Sequence, residues 1–405
     1  MNVVYKRCCG LDVHKKSVVA CLIVGNKREV RSFGTMTNDI RGMAKWLCEN
    51  DCEVVAMEST GVYWKPIYNV LELLGCEVIV ANAQHIKNVP GRKTDVKDAQ
   101  WIAEIVQHGL INPSFIPNRE QREMRDIVRY RKNMVEERSR EINRLEKHLE
   151  GANIKLSLVV SDLTGVTSTN ILKQLLQDDL NADNIDALLC GKLREKRDEL
   201  LLACDGVLSE TLKVLVRMIL DHIEDMTKRI SEMDNFINGK MGENDIMLKM
   251  LQEIPGVGKR SAEVIVSEIG IDMSRFPSEK HLSKWAGLCP GNNESAGKKK
   301  SGKTGKGNKT LKSILIQCAQ VASRKDGSFF KAQYERLVVR RGANRAKVAV
   351  AHSMLIAIYH MMKDGTEFKD LGADYYNQFN AERKINHYLK KLTQLGWTVP
   401  TAVLT

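Results

Sequence analysis

Between Arg7 and Gly34 three strand-like runs follow one another with almost nothing between them. Arg7-Cys8-Cys9-Gly10-Leu11-Asp12-Val13 leads into Ser17-Val18-Val19-Ala20-Cys21-Leu22-Ile23-Val24. Gly25-Asn26 supplies a two-residue turn, and residues 29–34 make the third run. A helical stretch at about 39–50 is followed by the apolar strand 53–57, a helix near 62–74, a strand at 76–80 and a helix that begins near Ala99. The first hundred residues therefore read β-β-β-α-β-α-β-α, an α/β pattern with antiparallel strands first and helix-linked strands after.

Four acids stand at the ends of these elements. Asp12 closes the first strand, where a charge is costly to bury unless it binds a metal or finds a partner. Glu58 follows the strand 53–57, and open α/β sheets build their sites at such C-terminal edges. Asp95 and Asp98 are three residues apart at the start of a helix, so they share one face. Arg92, Lys93 and Lys97 surround them, and carboxylates wrapped in cations suit a place where a divalent metal meets a phosphate. Each acid alone has a plainer reading: a turn aspartate for Asp12, and a solvated first turn for Asp95 and Asp98.

The element order is that of a ribonuclease H-like (RuvC-like) domain. Gly10-Leu11-Asp12-Val13-His14-Lys15, Met57-Glu58-Ser59-Thr60-Gly61 and Lys93-Thr94-Asp95-Val96-Lys97-Asp98-Ala99 together resemble DEDD-type insertion-sequence transposases, relatives of Piv-type DNA invertases and of RNA-guided bridge recombinases. The three motifs occur in that family's order and spacing, which is far more specific than any one of them.

From about residue 120 to 151 the chain turns highly charged and helical. Val128, Val135, Ile142 and Leu149 recur every seven residues, but Arg131 and Arg138 occupy alternate seam positions. A second helix is cleaner: Leu212, Val216, Ile219, Ile223, Met226, Ile230, Met233 and Ile237 alternate spacings of four and three. This predicts a long coiled-coil middle region, either a hairpin or stalk within one chain or a dimerising seam. The leucine-rich segment 157–205 between the helices carries no recognisable chemistry.

Further on, Leu251-Gln252-Glu253-Ile254-Pro255-Gly256-Val257-Gly258-Lys259-Arg260 resembles a helix-hairpin-helix. Backbone N–H groups at such a turn, around Gly256, Gly258 and Lys259, can hold a DNA phosphate without reading sequence. A plain turn between packed helices is the competing reading. Trp285-Ala286-Gly287-Leu288-Cys289-Pro290-Gly291 then leads into a Gly/Lys-rich run containing Lys298, Lys299, Lys300, Lys303, Lys306 and Lys309. Small residues admit close backbone approach and lysines neutralise phosphate, although such a segment is often only a mobile basic loop. The run lacks the strand-loop-helix setting of a nucleotide-binding loop, which sets nucleotide hydrolysis aside.

This block resembles the C-terminal domain of the same transposases, in which a serine before small residues is the nucleophile. Carried over by motif, that serine is Ser295, with Ala296 as a mild departure and Ser301 as the rival. The resemblance implies cutting and rejoining of DNA by a Mg²⁺-dependent tetrad, Asp12, Glu58, Asp95 and Asp98, holding two ions. It also implies donor and target DNA as partners, a guide RNA, and a homo-oligomer, dimer or tetramer, in which acids and serine can come from different subunits. The expected organisation is a RuvC-like domain at 1–118, a helical coiled-coil region at 119–245, a mostly α transposase domain with helix-hairpin-helix and serine loop at 246–365, and a tail at 366–405 with no assigned role.

Net charge is +12, which points toward nucleic acid or an anionic surface. No apolar run approaches a membrane span, and no signal peptide is read at the start. Ten scattered cysteines without a CxxC pair support neither a disulfide framework nor zinc, so reduced thiols and a cytoplasmic, nucleoid-associated protein are expected. Two other functions compete. A hydrolytic Holliday-junction nuclease would use the same acids with water and need no Ser295. A non-catalytic DNA-binding scaffold would leave the four acids unexplained.

Overall fold

A computed structural model of the chain describes residues 2–59, 61–83, 86, 89, 98–181, 184–291, 293–295, 298–378 and 381–396. The chain divides into two compact units, Met1–Arg119 and Glu120–Thr405.

In the first unit β1 (Arg7–Val13), β2 (Ser17–Val24) and β3 (Lys27–Gly34) are followed by α1 (Thr37–Glu49), β4 (Val54–Glu58), α2 (Trp64–Leu73), β5 (Val78–Ala81) and α3 (Asp98–Gln107). The sheet order is β3-β2-β1-β4-β5. β1 to β3 are antiparallel neighbours, and β4 runs parallel to both β1 and β5. This is the ribonuclease H-like order expected from the sequence. Gly25 adopts φ +61°, which lets the two-residue turn close β2 onto β3 with Val24 opposite Lys27.

The central strands are apolar on both faces because both faces are covered. Cys9, Leu11, Leu22, Val55 and Met57 pack with Met43 and Leu47 of α1 and Ile67 and Leu71 of α2. Cys8, Ile23, Val54, Ala56 and Ala81 pack with Ile102, Ala103 and Ile105 of α3 on the other side. β3 lies at the sheet edge, where exposed Lys27, Arg28, Glu29 and Arg31 discourage further strand pairing.

The second unit is largely helical. α4 (Arg119–Gly151) and α5 (Glu210–Met241) are its two long helices. Every one of the eight seam positions from Leu212 to Ile237 is buried or half-buried within the single chain. Met226 and Ile230 meet Met134 of α4, while Val216, Ile219, Leu220 and Ile223 join a core with Leu145 and Leu149. That core is filled by Leu156, Leu163, Ile171, Leu172, Leu176, Ile185, Leu189 and Leu200 from the leucine-rich insertion. Of the two expected arrangements the seam follows the one within a single chain: it packs inside the unit, and no coiled coil is seen among the described residues. A heptad stripe specifies that a helix face will be covered, not what covers it. Here the insertion, folded as short helices such as Val166–Leu175 and Arg197–Ala203, does much of the covering.

The charges that interrupted the first heptad pattern are satisfied. Arg131, only 3% exposed, donates to Asp234 at 2.9 Å and to buried Glu263 at 2.5 Å. Arg138 donates to Thr227 and Thr164.

Beyond α5 come α6 (Asp245–Gln252), α7 (Lys259–Ile269), α8 (Glu279–Trp285), a hairpin of β6 (Asn293–Ser295) and β7 (Lys298–Ser301), then α9 (Lys309–Ala322), α10 (Phe329–Arg341) and α11 (Ala343–Asp364). α11 is the hub, packing against α8, α9 and α10 through residues such as Ala346, Val350, Met354 and Ile358. The start of the tail packs back on α10: Tyr375 and Tyr376 lie 5.1 and 5.4 Å from the Phe329 ring, and Arg336 covers Tyr376. Among the described residues no helix is long and apolar enough to cross a membrane.

Candidate active site

The register of the sheet decides which acids can meet. β1 and β4 pair in parallel with Leu11 beside Met57, so Asp12 and Glu58 follow one step beyond on adjacent strands. Neighbouring strands lie about 4.8 Å apart, and side chains alternate between faces. Gly10 faces α3, because a Cβ there would collide with the backbone of Ala99 and Ala103. Asp12, two residues on, points to the same side. Val54 and Ala56 also pack in the α3 layer, which puts Glu58 on that side too.

Asp98 is the first residue of α3, next to the Ala99 carbonyl that abuts Gly10. Asp12, Glu58 and Asp98 thus occupy the α3 side of the sheet near its C-terminal edge. Asp95 lies outside the described residues, as do Arg92, Lys93 and Lys97. Among the described residues no three His, Cys, Asp or Glu side chains are close enough together to hold a metal ion. The donor chemistry nevertheless fits Mg²⁺, since the acids offer hard carboxylate oxygens at a partly exposed edge. The Asp12 side chain is 27% exposed and its Oδ2 lies 3.1 Å from His14 Nε2. His14 follows β1 directly, two residues from Asp12, and that spacing is the signal by which it could have been singled out.

The cysteines offer no competing metal site. All ten are free, and burial pushes the thiols of Cys8 and Cys52 up to about 12, keeping them protonated.

The second unit contains the hairpin between α6 and α7. Ile254 and Val257 are buried and anchor the turn. Gly256 has φ +84° and a Cβ there would strike the backbone of Cys318, so both conformation and packing demand glycine. Gly258 is the N-cap of α7, has open space around it and supplies no capping side chain. Exposed Lys259 and Arg260 follow, Arg260 paired with Asp234. Uncapped N–H groups beside a cation can donate to a phosphate.

The Gly/Lys-rich run is a structured hairpin. Its ladder pairs Pro290 with Thr304, Asn293 with Ser301, Glu294 with Lys299 and Ser295 with Lys298. Gly291 N–H donates to the Lys303 carbonyl at 2.8 Å. Ser295 therefore stands in the pair that closes the tip, whereas Ser301 lies at the far end opposite Asn293. The side chains of Ser295, Lys298, Lys299, Lys300 and Ser301 lie outside the described ones. Lys303, Lys306 and Lys309 are exposed. The two stems meet at Gly287 and Gly307, where a Cβ on Gly307 would collide with the Gly287 backbone.

A ribonuclease H-like sheet joined in one chain to a largely helical unit is the architecture of the DEDD transposase class. Residues 9–154 match the DEDD transposase family of IS110, and residues 248–335 match the transposase family IS116/IS110/IS902. The chain belongs to the IS110 family of DEDD transposases, enzymes that act on DNA. It is 24% identical to the transposase for insertion sequence element IS1111A of Coxiella burnetii over 76% of this chain and 77% of that one. It is 23% identical to a probable family 20 transposase of Pseudomonas aeruginosa over 78% of this chain and 86% of the relative. The pilin gene-inverting protein of Moraxella lacunata is 26% identical over 46% of this chain and 59% of its own length.

Proposed function

We propose that this transposase cuts and rejoins the DNA of a mobile insertion sequence with an acidic tetrad, Asp12, Glu58, Asp95 and Asp98, and with Ser295 as nucleophile. The observation that carries the reading is the β1–β4 register, which sets Asp12 and Glu58 side by side on the face where α3 begins with Asp98. Bound Mg²⁺, as two ions on these carboxylates, would supply activation of the attacking oxygen and stabilisation of the leaving one. The chain's own part is to hold Asp12 and Glu58 at adjacent strand ends and Asp98 at the start of α3, and to bring a hydroxyl to the phosphate. The Ser295 Oγ–P bond forms as the P–O bond to the leaving sugar oxygen breaks; the serine proton is given up and the leaving oxygen gains one. The phosphoserine ester conserves the bond for rejoining, so exchange needs no ATP.

In this reading residues 1–118 form the catalytic domain, 119–245 a helical region, 246–365 the domain that carries the serine hairpin, and 366–405 an appended tail. Gly256, Gly258 and Lys259, with the hairpin lysines and Arg92, Lys93 and Lys97, hold donor and target DNA by phosphate contact. The working enzyme is a homo-oligomer with a guide RNA.

The test is incubation with Mg²⁺ and a plasmid carrying the DNA that flanks the gene. A protein–DNA adduct that survives boiling in detergent is expected, lost in Ser295→Ala and retained in Ser301→Ala. Free ends with no adduct, and undiminished cutting by Ser295→Ala, would replace the serine mechanism with hydrolysis by the same acids. Loss of the adduct in Ser301→Ala alone would move the nucleophile. Co-purification of a discrete RNA transcribed beside the gene is expected, and full activity after ribonuclease treatment would remove the guide.

A further inference from the structure

Glu268, at the end of α7, is fully buried, yet it is a carboxylate with several partners. Arg129 of α4 clasps it with Nε on one oxygen and Nη2 on the other, both at 2.7 Å. Arg125 Nε lies 3.5 Å from Oε2 and also donates to the Ser267 carbonyl at 3.1 Å. Arg125 stacks near the Trp285 ring at 5.6 Å, and burial pulls its guanidinium down to about 10.

The remaining partner points elsewhere. Asn308 Nδ2 donates to Glu268 Oε2 at 2.6 Å. The same amide's Oδ1 accepts from Leu311 N–H at 3.0 Å, which makes Asn308 the N-cap of α9. Its backbone N–H donates to the Trp285 carbonyl at 3.0 Å. Trp285 and Asn308 flank the two stems that cross at Gly287 and Gly307. One buried carboxylate therefore fixes the place from which the serine hairpin springs.

We infer that Glu268 is a positioning residue for the serine hairpin, acting through Asn308 from inside the helical core. The inference rests on the reading of that hairpin as the bearer of the nucleophile. An ordinary cap would need only the Asn308 oxygen; aspartate or serine would serve as well. Asn308 caps α9 with its oxygen and donates to Glu268 with its nitrogen at the same time, which an ionised aspartate cannot do. Two arginines for one acid leave the carboxylate fully committed, so it has no reason to turn away from Asn308.

The inference is tested on the full-length protein with Asn308→Asp, which keeps the cap but sets a second carboxylate against Glu268. Two readouts are taken: cutting of the plasmid described above, and tryptic cleavage after Lys303 and Lys306 in the absence of DNA. Asn308→Asp is expected to slow cutting about tenfold to a hundredfold, since small misplacements of a reacting group are costly. Tryptic cleavage in the stem should quicken about fivefold as the local structure opens. Asn308→Ser, whose hydroxyl can accept from Leu311 N–H and donate to Glu268 at once, should keep both readouts within about threefold of wild type.

A wild-type trypsin pattern in Asn308→Asp overturns the inference. So does an Asn308→Ser variant no better than Asn308→Asp, since its hydroxyl keeps both the cap and the donor. Ser295→Ala should lose cutting and keep the wild-type trypsin pattern. If Ser295→Ala still cuts, the nucleophile assignment falls, and the trypsin comparison alone decides whether Glu268 positions the hairpin.

Discussion

The two units of this protein treat charge in opposite ways. In the first, the acids of interest stand at the ends of strands and helices, where Asp12 and Glu58 keep partial contact with water. In the second, Glu263 and Glu268 are buried, and each is matched by arginines from α4. A carboxylate at a rigid, wet edge is available to ligands. One locked in a buried pair is committed to structure, because leaving either partner alone in the interior is costly. Edge acids are thus open to ligands, while the buried ones hold the molecule together.

The sharpest way to break that distinction is to neutralise the edge acids. Asp12→Asn, Glu58→Gln and Asp98→Asn should each cut DNA cleavage by more than about a hundredfold, the scale seen when charge stabilisation is removed from a reacting centre. Chelation of divalent ions should do the same. Thermal melting and DNA binding should hardly change, since none of these residues is a core group. A large loss of melting temperature in Asp12→Asn would put that acid with the structural ones.

The helical unit should fail differently. Ile223→Lys or Ile230→Lys buries a cation in the seam core and should destabilise by more than about 4 kcal/mol, seen as lost helicity by circular dichroism. Folded monomers by sedimentation would instead mean that the seam joins subunits. Glu263→Ala leaves Arg131 with Asp234 as its one remaining carboxylate and should cost about 3 kcal/mol in denaturant unfolding while leaving the edge acids untouched.

Gly10→Ala tests the junction of sheet and helix. The added methyl meets the backbone of α3, so destabilisation of about 1–3 kcal/mol is expected. Cleavage measured well below the melting temperature should fall as well, because Asp98 begins the displaced helix. At the small end, Lys45→Ala removes an exposed ion pair to Glu49 and should shift stability by less than about 0.5 kcal/mol.

Much of the first unit was legible from residue order. The runs 7–13 and 17–24 were read as they are found, and the remaining strands and helices fell within a few residues of their bounds, because period and turn chemistry are local. The places of Asp12, Glu58 and Asp98 at the ends of elements were legible for the same reason, since such ends can be located without knowing the fold. Glu268 and Asn308 were not. A glutamate in a helix of mixed composition looks solvated until the fold brings Arg125 and Arg129 against it from more than a hundred residues away.

The sequence by itself determined the order of elements, the family and the candidate acids, all of which depend on spacing along the chain. Tertiary structure decided what filled the α5 seam, since an apolar stripe is indifferent to whether a second chain or the protein's own leucine-rich insertion covers it. It decided which face of the sheet Asp12 and Glu58 share, through the strand register. It also decided that the lysine-rich run is a hairpin tied to a buried carboxylate, because such pairings join residues whose separation in sequence carries no information about their distance in space.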